Sequence, residues 1–290
     1  MISIIICSRK KEIDSGLSEN IINTIGCEYE LIVIDNSENK YSIFEAYNLG
    51  IERSTGDYLC FMHDDIILHT LGWGTIIDRV FKKDPQIGLI GIAGSTAKTK
   101  APSAWWDCAE DEKVINIIQH FPTKEKEIWN FGFEKEQNTE VVAIDGVFMV
   151  MQRDKLLYFN TDMKGFHNYD LNISFECKKQ GYKIIVTNEI VLEHFSSGVL
   201  NEAWVGSTYT IHKLYKEVLP LMINANAIGK ETEEANVKRF LEECFKYGLT
   251  KITILVWIQL FCLRPKSNYH YRFWKRLVRA KVASYKHPVL

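Results

Sequence analysis

The chain has 290 residues, of which 46% are hydrophobic and 25% charged, as is typical of a soluble globular protein with one large domain or one domain plus an appendage. The formal net charge of −2 disfavours a polyanion as the main partner. The seven cysteines are scattered without C-x-x-C spacing, which disfavours a disulfide framework or a zinc site and favours a reducing compartment.

The first part of the chain alternates apolar runs with helical patterns. Strands are predicted at 2–8, 30–37, 58–62 and 87–94, and helices from the capping box Ser42-Ile-Phe-Glu45 toward Arg53 and over 71–83. The first residues run apolar before basic, the reverse of a signal peptide, so we interpret them as a strand. This alternation predicts a mostly parallel sheet covered on both faces by helices.

The second part is less regular. Residues 98–140 are polar and contain tryptophans, and they are predicted as a long loop region. Strands resume over 141–153 and 182–195 with a helix between them, and the pattern beyond about residue 207 is helical to the end. The expected organisation is an α/β domain over 1–206 and a helical extension over 207–290. The longest apolar run, 252–263, is too short to span a bilayer.

Acidic residues stand where two predicted strands end. Asp35 closes the second strand, and His63, Asp64 and Asp65 follow the third. The working groups of open α/β sheets collect at the carboxyl ends of strands, so we expect these side chains on one rim. Asp35 alone would be explained as a turn cap. Two adjacent carboxylates behind a buried strand are better explained by bound Mg²⁺ or Mn²⁺, which takes one or two carboxylates plus phosphate oxygens.

The Gly-rich loops that bind phosphate through backbone amides are not found in the sequence. The segment CSRKKEIDSG after the first strand is no G-x-G-x-x-G, which disfavours a dinucleotide oxidoreductase, and GIAGSTAKT at 91–99 lacks the P-loop spacing. A metal ion would then have to carry the diphosphate, as expected of a nucleotide-sugar site.

Five segments in order resemble family-2-like glycosyltransferases of the GT-A fold: SIIICSRK, LIVIDNSE, EAYNLGIERSTGDYLCFMHDD, AIDGVFMVMQRD and FHNYDLNISFECKKQGYKIIV with the later LEHFSSG. The resemblance covers roughly residues 2–198, and the HDD form is closest to a poorly characterised subgroup. It implies a Rossmann-like, mixed and mostly parallel sheet, a nucleoside-diphospho-sugar donor with Mn²⁺ or Mg²⁺, and a glycan or lipid-linked acceptor in bacterial surface-polysaccharide assembly.

The same resemblance assigns roles to single residues. Asp65 and His194 match metal ligands, and Asp170 matches the catalytic base. The substrate-binding matches are Asp64 near the ribose, Asp35 at the nucleobase, Asn48 of an N-x-G motif that supports the nucleotide pocket, and Ser8 and Asp145 in the matched segments. A base opposite the leaving phosphate predicts direct displacement with inversion.

Structural alternatives stand beside these roles. Asp170 also suits a helix N-cap, and a lone histidine such as His194 is more often structural than a ligand. Trp105 and Trp106 could stack on sugars in an acceptor pocket, although paired indoles are more often packing residues.

Departures from the family pattern keep other functions open. His63 replaces an acid, and Asn172 and Glu176 stand where many members have Asp and Arg. A catalytically silent nucleotide- or glycan-binding member is therefore the main alternative. A sugar-nucleotide nucleotidyltransferase is a third hypothesis, but it should carry a Gly-rich loop after the first strand.

The C-terminal segment 264–290 holds eight Lys/Arg and no Asp/Glu. On a helix over 271–282, one arc carries Arg272, Lys275, Arg276 and Arg279, and the opposite side carries Tyr271, Phe273, Trp274, Leu277, Val278 and Val282. This pattern favours a helix lying on the inner face of the cytoplasmic membrane, with packing on the catalytic domain or in a homodimer as the alternative. Basic residues confined to one segment do not predict nucleic-acid binding, and the expected location is the cytoplasm.

Overall fold

The computed structural model describes residues 1–134, 136–153, 157–223 and 228–286, with side chains up to Arg279. The helices are α1 Ser15–Thr24, α2 Ile43–Arg53, α3 Trp73–Lys83, α4 Tyr169–Lys179, α5 Glu202–Leu214, α6 Lys230–Lys246, α7 Thr250–Leu263 and α8 Tyr269–Lys286. The strands are β1 Ile2–Ser8, β2 Tyr29–Asp35, β3 Tyr58–Met62, β4 Ile66–Leu68, β5 Ile87–Gly91, β6 Ala93–Ser95, β7 Ala97–Lys98, β8 Lys113–Phe121, β9 Lys124–Phe131, β10 Asn138–Val141, β11 Ala143–Ile144, β12 Phe148–Gln152, β13 Lys183–Thr187, β14 Leu192–His194 and β15 Leu221–Met222.

The central sheet has the strand order β10-β13-β5-β12-β3-β1-β2. The pairs β1–β2, β1–β3 and β5–β13 are parallel, whereas β12 runs antiparallel to both β3 and β5, and β10 runs antiparallel to β13. The predicted α/β class is confirmed. Five of the seven strands therefore run in the same direction and β12 and β10 run opposite to them, so the predicted mixed, mostly parallel sheet is confirmed.

Close packing of α2 on the sheet follows from its sequence. The predicted capping box is present, since the Ser42 backbone N–H donates to Glu45 Oε2 at 2.9 Å and the Glu45 N–H donates to Ser42 Oγ at 3.4 Å. A Cβ at Gly50 would lie 2.3 Å from the Ile5 side chain, so only glycine allows α2 this close to β1. The packing of α2 on β1 thus helps to position the carboxyl end of β1 at Ser8.

The predicted loop over 98–140 is wrong in part. It contains β8, β9 and β10, and a second sheet of order β11-β6-β8-β14-β4 has β9 paired to β8. The sequence of β9, KEKEIWNF, is mostly exposed and polar, so it carries no apolar alternation, and it becomes a strand by pairing with β8. The predicted strand over 87–94 divides into β5 and β6, which belong to different sheets.

A second hydrophobic core joins the helical extension to the α/β part. It contains Ala101, Ala104, Trp204, Val205, Val237, Phe240, Leu241, Cys244, Val256, Leu260, Phe273 and Leu277. The predicted boundary after residue 206 falls inside α5, whose first turns belong to this core while Ile211 belongs to the main core. One helix therefore takes part in both cores.

The tail helix α8 packs against the extension. Phe273 and Leu277 are buried, the Phe273 ring stacks on Trp257 of α7 at 5.3 Å, and Arg276 pairs with Glu242 of α6. The predicted membrane-facing role of Leu277 is wrong, because its side chain lies in the second core. Trp274 and Val278 stay exposed, and the predicted position of Val282 lies outside the described side chains. Among the described helices, none is both long and apolar enough to cross a bilayer.

Candidate active site

A cluster of two histidines and one aspartate lies at the turn between β3 and β4. Asp65 Oδ1 is 3.6 Å from His63 Nδ1 and 3.5 Å from His194 Nε2 at the end of β14. The candidate ligand atoms of these three side chains all lie within 4.8 Å of one another. Burial alone would raise the pKa of the Asp65 carboxyl, but contacts with His194, His63 and Ser196 outweigh burial and hold that pKa well below its usual range. The carboxylate is therefore ionised at neutral pH.

The orientation of His194 is fixed by Gln119 of β8. Gln119 Nε2 donates to the Ser196 carbonyl at 2.7 Å, so its Oε1 faces His194 Nδ1 at 3.0 Å. An amide oxygen only accepts hydrogen bonds, so Nδ1 carries a proton and Nε2 is the nitrogen that faces Asp65, where it can donate to the carboxylate when protonated or bind a metal ion when neutral. This is the arrangement in which an outer hydrogen bond prepares a histidine for a metal.

His63 completes the cluster through the start of α4. Its Nδ1 lies 3.3 Å from His194 Nε2, and its Nε2 lies 2.6 Å from the Tyr169 hydroxyl. Tyr169 in turn packs against Gly146, where an added Cβ would lie 2.5 Å from the phenol ring. Two imidazole nitrogens and one carboxylate oxygen can hold a divalent ion and leave positions for phosphate oxygens.

Asp170, the predicted base, is the second residue of α4 and follows Tyr169 directly. Burial and the nearby charge of Asp145 raise the pKa of Asp170 to about 7, although the Leu171 N–H donates to its Oδ1 at 2.8 Å and opposes this rise. A carboxyl group that titrates near neutrality is well suited to general-base catalysis. The N-cap of α4 is Asn168, so the capping alternative predicted for Asp170 is wrong.

The turn before α4 is tied to α5. Asn168 adopts a left-handed backbone conformation with φ of 62°, and its Nδ2 donates to Ser207 Oγ at 3.0 Å and Thr208 Oγ1 at 3.1 Å. Asparagine tolerates this conformation better than most residues. The position of Tyr169 and Asp170 therefore depends on a helix that also belongs to the second core.

The ends of β1, β2 and β3 meet at one rim. Ser8 lies opposite Asp35 in the β1–β2 register, and Ser8 Oγ donates to Asp64 Oδ2 at 2.7 Å. Asp35 is exposed, and its carboxylate accepts the Ser37 N–H at 3.0 Å. Hydrogen bonds from Ser37 lower the pKa of Asp35. Ser8 is buried, whereas Asp35 and Asp64 are exposed at this edge of the sheet.

The side-chain amide of Asn48 makes two hydrogen bonds with the backbone of Phe159. Its Nδ2 donates to the Phe159 carbonyl at 2.7 Å, and its Oδ1 accepts the Phe159 N–H at 3.0 Å. The structure thus gives Asn48 an anchoring contact to the segment that leads into α4.

The two adjacent tryptophans have different surroundings. Trp105 is buried, and its Nε1 donates to Asp145 Oδ2 at 2.9 Å. Trp106 is 38% exposed, and its ring lies edge-on to that of Trp105 with centroids 5.5 Å apart. Trp105 therefore contacts both Asp145, whose charge affects the pKa of Asp170, and the exposed indole of Trp106.

Three of the residues around the cluster were missed or underrated from the sequence. Gln119 lies in the segment predicted as a loop, Tyr169 has no predicted role, and the predicted metal ligands are Asp65 and His194 without His63. The apolar run VINII before Gln119 is a signal that could have indicated β8.

Comparison with known proteins identifies the family. The sequence profile of the "Glycosyltransferase like family" matches residues 3–218, well over half of the chain. The chain belongs to this family. A curated protein from Fuscovulum blasticum, described as "ATP synthase subunits region ORF 6", is 22% identical over 196 residues, or 65% of this chain and 69% of that protein.

Two solved structures are similar at low identity. GalNAc-T7 with UDP, GalNAc and Mn²⁺ aligns over 83% of this chain and 48% of its own with 14% identity and a TM-score of 0.49, so the chain spans about half of that protein. S. aureus TarS 1–349 in complex with UDP-GlcNAc aligns over 85% of this chain and 73% of its own, with 11% identity and a TM-score of 0.47. Family membership and the α/β sheet with its helical extension agree with the fold class predicted from the sequence.

Proposed function

We propose that the protein transfers a sugar from a nucleoside-diphospho-sugar to a hydroxyl group of a glycan or lipid-linked acceptor, with a divalent metal and with Asp170 as the base. The observation that carries this proposal is the contact chain from the Asp65 cluster to Asp170. His63 of the metal cluster contacts the hydroxyl of Tyr169, and the next residue of α4 is Asp170, whose pKa is about 7. Bacterial surface-polysaccharide assembly remains the proposed setting.

The composition of the cluster favours Mn²⁺ over Mg²⁺. Mg²⁺ prefers oxygen ligands in octahedral geometry, whereas imidazole nitrogen is acceptable to later first-row metals. His63, Asp65 and His194 would hold the ion, and Asp64 lies beside them next to Ser8. A bound divalent ion would stabilise the negative charge that develops on the leaving diphosphate.

The reaction then needs a base on the acceptor side. The acceptor oxygen attacks the anomeric carbon while the bond from that carbon to the phosphate oxygen breaks, and Asp170 receives the hydroxyl proton. Direct displacement inverts the anomeric centre, and no covalent sugar–enzyme bond forms.

The departures at Asn172 and Glu176 do not favour a silent family member. Asn172 is buried and accepts the Asn160 N–H at 2.9 Å, and Glu176 accepts a hydrogen bond from the Tyr215 hydroxyl. Both side chains serve the interior of the protein behind α4. Their difference from the family pattern is thus explained by packing and leaves the metal cluster unaffected.

Calorimetric titration tests the donor side. Nucleoside diphosphates of the five common bases are titrated with and without Mn²⁺, and at least one should bind more tightly with the metal. If none binds under either condition, the proposal is overturned. Sugar nucleotides that contain the base of the tightest-binding nucleoside diphosphate are then mixed with glycan acceptors. Wild-type protein should form product, and Asp170→Asn should not.

We also propose peripheral membrane contact, through a surface that differs in part from the predicted one. On α7 the side chains of Leu255, Ile258, Phe261 and Cys262 are exposed, and on α8 those of Trp274 and Val278. The Trp257 ring contacts both Phe261 and Trp274. From residue 244 onward the sequence has no Asp or Glu, and Lys246 and Lys251 together with the eight basic residues after 263 make ten. An exposed apolar face with basic flanks fits an anionic lipid surface.

Vesicle sedimentation tests this contact. Replacing Arg272, Lys275 and Arg279 with Ala should weaken binding to anionic vesicles about 100-fold, since each basic residue contributes about 1 kcal/mol near such a surface. Exposed lysines elsewhere serve as the control in a triple Ala variant of Lys10, Lys11 and Lys40. Wild-type protein that pellets equally on neutral and anionic vesicles, or on neither, would favour homodimer packing instead.

A further inference from the structure

A cavity of about 140 Å³ lies between the 99–107 segment and the helical extension. Its walls include Trp106 on one side, Trp204 of α5 on another, and Arg239 and Glu243 of α6, with Leu200 at the segment that follows β14. It is separate from the metal cluster, and no role in the reaction described above uses it.

The lining combines apolar ring faces with polar atoms. Trp106 is the exposed indole of the tryptophan pair, and Trp204 is largely buried. Asp107 accepts the Ala104 N–H at 2.8 Å and pairs with Arg239, which neutralises its charge. Glu243 forms an ion pair with Lys246 Nζ at 3.7 Å, but its buried Oε2 accepts no hydrogen bond from the described part of the chain.

The size of the cavity limits its occupant to one ring. A cavity of about 150 Å³ holds a benzene molecule, and a nucleotide or a drug-sized ligand needs roughly 300 Å³ or more. The occupant should also donate a hydrogen bond to Glu243 Oε2, because an apolar ligand would leave that buried oxygen without a donor. A pyranose ring has both features, with C–H groups that pack on an indole face and hydroxyl groups that donate to carboxylates.

The cavity wall is linked to the surroundings of Asp170 through the tryptophan pair. Trp105 donates to Asp145, whose charge raises the pKa of Asp170, and Trp105 contacts the ring of Trp106. The segment from Ser196, which lies 3.3 Å from His194 Nε2, to Leu200 in the cavity wall spans at most about 14 Å when extended. An oligosaccharide can bridge this distance.

We infer that this cavity binds one uncharged hexopyranose unit of the acceptor, at a distance from the hydroxyl group that is glycosylated. The role as an acceptor subsite rests on the proposed function, whereas sugar binding by the cavity does not. The inference therefore makes a glycan the acceptor and gives the helical extension a part in its selection.

Saturation-transfer NMR on the full chain tests sugar binding without donor or metal. The probes are the methyl glycosides of glucose, galactose, mannose and N-acetylglucosamine. At least one should receive saturation from the wild type, and Trp106→Ala should weaken its binding about tenfold or more. Glu243→Gln removes the carboxylate that accepts the sugar hydroxyl, so it should also weaken binding. The variant should still fold, because glutamine has the same size as glutamate. Trp274→Ala, which removes an exposed indole on α8, is the matched control and should bind like wild type.

The outcomes separate this inference from the proposed function. Binding that is lost in Trp106→Ala and Glu243→Gln but kept in Trp274→Ala supports the cavity even if no nucleoside diphosphate binds. No saturation of any probe, or equal saturation in all variants, overturns it even if the donor binds with Mn²⁺.

Discussion

Asp145→Asn should lower the pKa of Asp170 with a side chain of the same size, at the loss of one of the two hydrogen bonds that Asp145 accepts from Trp105 and Val147. In the wild type, burial and the charge of Asp145 raise the pKa of Asp170 from 3.8 to about 7. This rise is roughly three units, or about 4 kcal/mol of disfavoured ionisation. The variant removes the smaller of the two causes and leaves burial in place. We therefore expect a fall of about one unit, or about 1.4 kcal/mol, rather than a return to the value of a free carboxyl group.

The assay is a pH titration of protein with ¹³C-labelled aspartate carboxyl groups, in which Asp170→Asn identifies the signal of interest. A lower pKa means that Asp170 is ionised at lower pH. The acidic limb of the profile of transfer rate against pH should therefore move to lower pH by the same amount. Asp35→Asn removes an exposed carboxylate at the β2 end and should leave the Asp170 midpoint unchanged. A midpoint that stays the same or rises in Asp145→Asn would refute the reasoning.

Asp65→Asn should abolish the Mn²⁺-dependent part of nucleoside-diphosphate binding in calorimetry, and Asp64→Asn should weaken it less; unchanged affinity in Asp65→Asn would contradict the metal assignment. Asp170→Asn should bind donor normally and transfer sugar roughly 100- to 10,000-fold more slowly, the usual contribution of general acid–base catalysis, so a wild-type rate would place the base elsewhere. Gln119→Leu should lower Mn²⁺ affinity about 10- to 100-fold because His194 loses the acceptor that fixes its protonated nitrogen. Gln119→Glu keeps that acceptor and should bind metal better than Gln119→Leu; equal affinities would argue against the orienting role.

The strands nearest the site could be predicted because they are buried on both faces. Residues 2–8 and 58–62 are mostly apolar runs, and both predicted ranges agree with β1 and β3. Once the strands were placed, their carboxyl ends brought Ser8, Asp35 and Asp64 to one rim. The local sequence pattern was sufficient to predict these strands, because a strand that is buried on both faces needs apolar residues along almost its whole length.

The rest depended on contacts between distant segments. Gln119 reaches His194 across 75 positions, and β9 is a strand only because β8 pairs with it. The tail pattern identified an apolar side on α8 correctly but could not show that α6 and α7 would cover half of it. Periodicity reports which face of an element is apolar and does not report what that face meets.

The sharing of α5 between two cores has a consequence for how the protein holds together. Its first turns pack with the extension, Ile211 packs with the main core, and Ser207 and Thr208 bind the Asn168 turn that starts α4. A cut inside or just before α5 would therefore not release an intact catalytic half, because it would expose apolar side chains and free the turn that carries Asp170. We therefore expect the extension and the α/β part to unfold together, since Ser207 and Thr208, which hold the turn before Asp170, lie beyond the predicted domain boundary at 206.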